Sequence, residues 1–97
     1  MIKLILNNTF EAELTGFNRN TTFEMGNEQI TSQAYCYVRS TSNDIYALAN
    51  ETITSLKIMK DDKVLYDAGT IDAHLVSVDE NLNGEEISVS FTLRITM

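Results

Sequence analysis

The sequence predicts a mainly β fold of the α+β class: an antiparallel β sandwich or a small barrel with one short helix. Apolar and polar side chains alternate with the two-residue period of strands through most of the chain. Clusters of Asn, Asp and Gly separate these segments as turns would. The 97 residues suffice for one hydrophobic core. We therefore expect one β-rich domain over residues 1–97, with about seven strands.

The clearest strand prediction lies at Glu85–Thr96, directly after the turn signal Asn83-Gly84. Every second residue in this segment is apolar, and the residues between them are Ser, Thr or Arg. The apolar set consists of Ile87, Val89, Phe91, Leu93 and Ile95. This alternation is typical of an antiparallel strand with one face on the core and one face in water.

The N-terminal segment predicts a hairpin, with strands at Ile2–Leu6 and Thr9–Leu14 around Asn7-Asn8. Asparagine tolerates the left-handed backbone that tight hairpin turns require. From Gly16 to Glu28 the alternation is lost among several Asn and Gly residues. We expect a loop there, with at most a short strand around Thr21–Met25.

The next segment, Gln29–Arg39, predicts a long strand with two different faces. Ile30, Ala34, Cys36 and Val38 would form an apolar face of mostly small side chains. The opposite face would carry Tyr35, Tyr37 and Arg39.

One helix is predicted, at Asn43–Asn50, because Ser, Thr, Asn and Asp residues that can cap a helix precede apolar residues with helical spacing. The second half of the chain predicts strands. Thr52–Lys60 and Lys63–Asp67 flank a turn at Asp61-Asp62, and Thr70–Asp79 follows Gly69 with looser alternation.

The chain carries 7 basic and 14 acidic residues, for a net charge of −7. Affinity for nucleic acid and for anionic membrane surfaces depends on Lys and Arg, so we expect no direct binding to nucleic acid or to membranes. The short apolar start is followed at once by Asn7-Asn8, which does not fit a signal peptide or a membrane span.

The residue pattern favours a non-enzymatic protein without a cofactor or a metal ion. Cys36 is the single cysteine and lies in an apolar alternation, which indicates a small core side chain. His74 is the single histidine and could pair with Asp72 as an oriented base, or could simply be exposed beside a carboxylate. Oxygen-bearing residues alternate from Asp79 to Glu85 and weakly resemble a calcium loop, although turn formation explains them as well.

Tyr35, Tyr37 and Arg39 form the candidate protein-binding site, because Tyr and Arg are enriched at the energetic centres of protein interfaces. A strand presents alternate side chains on one face, so all three could contact one partner. The alternative is a second packed face, covered by another part of the chain.

The order of elements resembles small proteins encoded in the structural-gene modules of tailed phages and prophages of gut Firmicutes. The resemblance lies in the hairpin at residues 1–14, the long strand, the short capped helix, Ile53–Ile58, Val64–Asp67 and the final strand Ile87–Leu93. It implies a virion, tail or head assembly component that acts through protein contacts and has no catalytic residues. Its location would be the virion, or the host bacterial cytoplasm before assembly.

We therefore expect partners among other phage structural proteins or further copies of the chain, as a homo-oligomer. Exposed sheet edges could serve as joints, since the chain has no proline to block them. The N-terminal hairpin and the C-terminal strand are the predicted edges. The alternative function is a small acidic phage protein that binds and inhibits a host defence or regulatory protein.

Overall fold

Six strands and one short helix make up the fold in a computed structural model that describes residues 1–24, 29–83 and 86–96. The elements in chain order are β1 (Ile2–Leu6), β2 (Phe10–Glu24), β3 (Gln29–Arg39), α1 (Ser42–Tyr46), β4 (Ile53–Lys60), β5 (Lys63–Asn83) and β6 (Glu86–Thr96).

All described strand pairs are antiparallel, and the order β1-β2-β3-β6-β5-β4 closes on itself because β4 also pairs with β1. The predicted antiparallel β fold with one short helix is thus confirmed, with a sheet that closes into a ring. The order places β3 between β2 and β6, which are far apart in sequence.

The hydrophobic core consists of side chains that point into this ring. On β6 the predicted alternation is confirmed for Val89, Phe91, Leu93 and Ile95, which are all buried. The other strands and the helix segment contribute Leu4, Leu6, Ala12, Leu14, Ala34, Cys36, Val38, Ile45, Leu48, Ile53, Leu56, Ile58 and Ala73.

Two of the three predicted tight turns lie within the described residues, and both use left-handed backbone; the third, at Asn83-Gly84, falls partly outside the described residues. Asn7 and Asn8 have φ of 55° and 58°, and Asp61 has φ of 53°. The Asn7 side chain accepts from the Thr54 backbone N–H at 2.7 Å and donates to the Thr52 carbonyl at 3.1 Å. Asn7 therefore also connects the first hairpin to the start of β4.

The helix is shorter than predicted. It spans Ser42–Tyr46, with Thr41 as the N-cap, whereas the expected range was Asn43–Asn50. Beyond Ala47 the hydrogen bonds join residues three apart, as in Leu48 N–H to the Ile45 carbonyl, so the chain continues as tight turns. Ile45 and Leu48 are nevertheless buried, as helical spacing predicts. The described residues contain no helix that is long and apolar enough to cross a membrane.

The loop prediction is wrong for residues 16–20, because β2 continues through them to Glu24 and so includes the described part of the short strand predicted around Thr21–Met25. The register of β2 against β3 shifts between Leu14 and Gly16, as at a β-bulge. Leu14 points inward before the shift, and Phe17 pairs with the inward-facing Cys36 after it. An extra residue therefore reverses the alternation, which the sequence pattern cannot follow. Residues 25–28 lie outside the described residues.

Similarly, Lys63–Asp67 and Thr70–Asp79, predicted as two strands, belong to the single 21-residue strand β5. Gly69 has φ of +73° within it, and the register against β6 shifts between Leu75 and Ser77. These irregularities explain the loose alternation of this segment, and the described fold has six strands rather than seven.

The predicted sheet edges are also wrong. β1 pairs with both β2 and β4, and β6 pairs with both β3 and β5. Among the described strand pairs, the long unpaired stretches lie instead on β2 after residue 14 and on both halves of β5. Closing the ring pairs strands that are distant in the sequence, such as β1 with β4 and β3 with β6, and the alternation of single strands does not indicate such pairs.

Candidate functional site

Tyr35, Tyr37 and Arg39 lie together on the outer face of β3, as the sequence predicts. The alternate residues Ala34, Cys36 and Val38 are buried, which directs the three candidate side chains away from the core. Tyr37 is 49% exposed. In the described part of the chain, the alternative of a second packed face is not observed at Tyr37.

Small side chains lie beside the two tyrosines. Tyr37 pairs with Ser90 of β6, which in turn pairs with Asp79 of β5, and Tyr35 pairs with Thr92. The difference in side-chain size leaves an open depression of about 210 Å³ that these residues line. We call the surface formed by Tyr35, Tyr37, Arg39, Asp79, Ser90 and Thr92 the tyrosine face.

The Tyr37 ring lies over Gly16 of the neighbouring strand. A Cβ atom at Gly16 would lie 3.0 Å from Cδ2 of the ring, so the absence of a side chain there makes room for the tyrosine. The Thr15 hydroxyl donates to the Tyr37 carbonyl at 3.1 Å. The bulge and Gly16, which interrupt the alternation that would identify β2 from the sequence, therefore position Tyr37.

The other two predicted residues have polar partners within the chain. The Tyr35 hydroxyl donates to Oε1 of Gln33 at 2.6 Å. Nη1 of Arg39 lies 3.6 Å from Oε2 of Glu13, its cross-strand neighbour on β2. Arg39 and Glu13 are partly exposed, and such ion pairs contribute at most about 1 kcal/mol.

Ser90 and Thr92 were not singled out from the sequence as site residues, and Asp79 was considered only within the calcium-loop alternative. The alternation of β6 does predict that Ser90 and Thr92 point outward. Their position beside the tyrosines follows only from the pairing of β3 with β6 across more than fifty residues.

The sequence candidates for chemistry are separated in the fold. Nε2 of His74 lies 3.3 Å from Oδ1 of Asp72, and their side chains are 59% and 62% exposed. This pair lies on an open strand surface, which matches the exposed alternative. Cys36 is buried, and burial raises the pKa of its thiol to about 12, which disfavours the reactive thiolate.

Among the described residues, no group of three or more His, Cys, Asp or Glu side chains could hold a metal ion. The calcium-loop alternative falls partly on Gly84 and Glu85, which lie outside the described residues.

Comparisons with protein-family models, with curated proteins and with solved structures found no match to this chain.

Proposed function

We propose that the protein is a non-enzymatic component of a tailed-phage particle, in its tail or head assembly, and that it acts through protein–protein contacts. The observation that carries the proposal is the tyrosine face, where Tyr35 and Tyr37 line a depression together with Ser90 and Thr92, and Arg39 follows on the same face of β3. The resemblance of the element order to phage structural-module proteins supplies the biological setting.

The tyrosine face has the chemistry of an interface centre. Tyrosine brings a large apolar ring, a hydroxyl that bonds in either direction, and few rotatable bonds to immobilise. The Tyr37 ring packs over the backbone of Gly16, and the Tyr35 hydroxyl donates a hydrogen bond to Gln33. Both rings are therefore oriented before a partner binds. Such preorganisation lowers the entropic cost of binding.

The partners under this proposal are other phage structural proteins and further copies of the chain. The net charge of −7 weakens flat contacts between copies, but at physiological salt the screening length is about 8 Å, so the repulsion is local. The protein would be found in the virion, and in the host cytoplasm before assembly.

The location is tested by quantitative mass spectrometry of phage particles purified from the native source. We expect a fixed number of copies per particle, at the level of other structural proteins. Absence from particles, together with recovery of the chain on a host defence or regulatory protein, contradicts the proposal and supports the inhibitor alternative.

The role of the tyrosine face is tested with Tyr37→Ala and a matched Tyr46→Ala control. Tyr46 is 56% exposed on α1, so both variants remove a similar exposed ring. Truncation at an interface centre costs more than about 1 kcal/mol, so we expect Tyr37→Ala to reduce incorporation into particles at least fivefold. Equal incorporation of both variants, with unchanged melting temperatures, would exclude the tyrosine face as the contact.

A further inference from the structure

We propose that two copies of the chain pair through the unpaired edge of β2, residues 16–24, in an antiparallel, two-fold symmetric arrangement with Asn20 on the axis. This inference rests on the self-association included in the proposed function and names the surface that performs it.

The edge exists because β1 is short. β1 pairs with β2 only from Phe10 to Glu13, and the bulge that follows shifts the register of β2. From residue 16 onward the described part of β2 pairs with β3 alone. A strand edge presents backbone N–H and C=O groups to which another strand can add.

The charge distribution indicates a second copy as the occupant. Residues 16–24 include one basic residue, Arg19, and one acidic residue, Glu24, while Asn18 and Asn20 lie on the outer face. The unpaired stretches of β5 carry Asp79 and Glu80 in one half and Lys63 and Asp67 in the other. In a chain of net charge −7, the β2 edge thus carries no net charge, and its one acidic residue is the last of the stretch, away from the middle where two antiparallel copies would cross.

Arg19 does not obstruct this pairing because it is engaged inside its own chain. Its Nε donates to the buried Ser32 hydroxyl at 2.7 Å, and its Nη1 donates to the Tyr66 hydroxyl. Two common protections of sheet edges, proline and lysine, are also missing from residues 16–24 of β2, although this stretch follows a β-bulge and carries the inward-facing Arg19. The chain has no proline, and its four lysines, Lys3, Lys57, Lys60 and Lys63, lie on β1, β4 and β5.

Symmetry selects the register. Outward residues must oppose outward residues, because a register shift of one residue would place the outward side chains of one copy on the inward face of the joined sheet. A two-fold axis at Arg19 would oppose two like charges. An axis at Asn20 instead opposes Arg19 to Thr21 of the second copy, brings the two Asn20 amides together, and uses the whole stretch from Gly16 to Glu24.

Mass in solution is the first test, with Asn20→Lys against a Thr96→Lys control. Both residues are exposed and both variants change the charge equally, but Thr96 lies on β6, which has strands on either side. By size-exclusion chromatography with light scattering, we expect wild type and Thr96→Lys at twice the chain mass of 10.9 kDa. For Asn20→Lys we expect the dissociation constant of the dimer to be at least tenfold higher than that of wild type.

Disulfide formation tests the register independently of stability. Asn20→Cys should cross-link to itself under mild oxidation, because residues on the axis face each other at about 5 Å between Cβ atoms. Thr96→Cys should not cross-link, and the native Cys36 is buried and does not interfere. Faster cross-linking of Asn18→Cys than of Asn20→Cys would refute the register.

A wild-type chain that stays monomeric at high concentration, or an Asn20→Lys variant that stays dimeric, would overturn the inference. If the chain is monomeric yet abundant in particles, the edge pairing fails and the proposed function stands. If it is dimeric through Asn20 yet absent from particles, the proposed function fails and the edge pairing stands.

Discussion

β6 and β2 are both long strands that pair with neighbouring strands, but they relate to their sequences differently. β6 keeps one alternation from Val89 to Ile95 and has a strand on each side. β2 changes its alternation at the bulge before Gly16 and loses its pairing with β1 at the same place. The comparison shows that the alternation of a sequence predicts a strand correctly where the register of that strand is unbroken. Irregularity appears where the chain positions Tyr37 and leaves an edge open.

The largest effect is expected from Phe91→Ala on β6. Phe91 is 2% exposed in the core, and truncating a buried phenylalanine costs about 3–5 kcal/mol. Urea denaturation should show this loss, while Arg94→Ala on the exposed face of the same strand should stay within about 0.5 kcal/mol of wild type. Similar losses for both variants would mean that the face assignment of β6 is wrong.

A smaller effect is expected from Tyr66→Phe, which tests how β2 is held after the bulge. The Tyr66 hydroxyl accepts from Arg19, and its ring lies 5.8 Å from the Phe17 ring between centroids. The variant keeps the ring contact and removes the hydrogen bond, so we expect a loss of about 0.5–1.5 kcal/mol in the free energy of unfolding. An unchanged free energy of unfolding would show that Arg19 does not attach β2 to β5.

The contact between Gly16 and Tyr37 should give a smaller effect whose sign depends on the background. Gly16→Ala brings Cβ to 3.0 Å from the ring, and the cost of displacing the ring opposes the gain from a less flexible unfolded chain. In a Tyr37→Ala background only the gain remains, so the same substitution should stabilise by about 0.4–1 kcal/mol. A double-mutant cycle without coupling between the two positions would contradict the placement of the ring.

The last measurement leaves the sequence unchanged and uses Cys36, which lies on β3 between Phe17 of β2 and Phe91 of β6. Its pKa rises from 9.0 to about 12 on folding, so at pH 8 the thiolate fraction should fall about a thousandfold. Alkylation should be slower by at least that factor in buffer than in denaturant. Fast alkylation of the folded chain would show that β3 is open toward one of its neighbours.

The same shift gives a direction for stability against pH. The folded chain keeps the thiol protonated at a pH where the unfolded chain has lost the proton. The contribution of Cys36 to stability is therefore complete below pH 9.0, and it decreases as the pH rises from 9.0 toward about 12.

Much of the fold could be predicted from sequence because local signals agree with the final structure. The turns at Asn7-Asn8 and Asp61, the inward face of β6 and the outward direction of Tyr35, Tyr37 and Arg39 all follow from residues close in the chain. The helix was placed correctly but extended too far, since caps and spacing do not distinguish a helix from successive tight turns.

The sequence by itself determined the antiparallel β class, the core alternation and the three outward residues of β3, because the two-residue period of a strand directs side chains without reference to distant neighbours. Only the tertiary structure decided that Tyr35 and Tyr37 lie beside Ser90 and Thr92, that Tyr37 covers Gly16, and that β2 rather than β1 or β6 carries an open edge. Strand pairing across tens of residues and bulges that reverse the alternation fix these features, and neither has a local sequence signal.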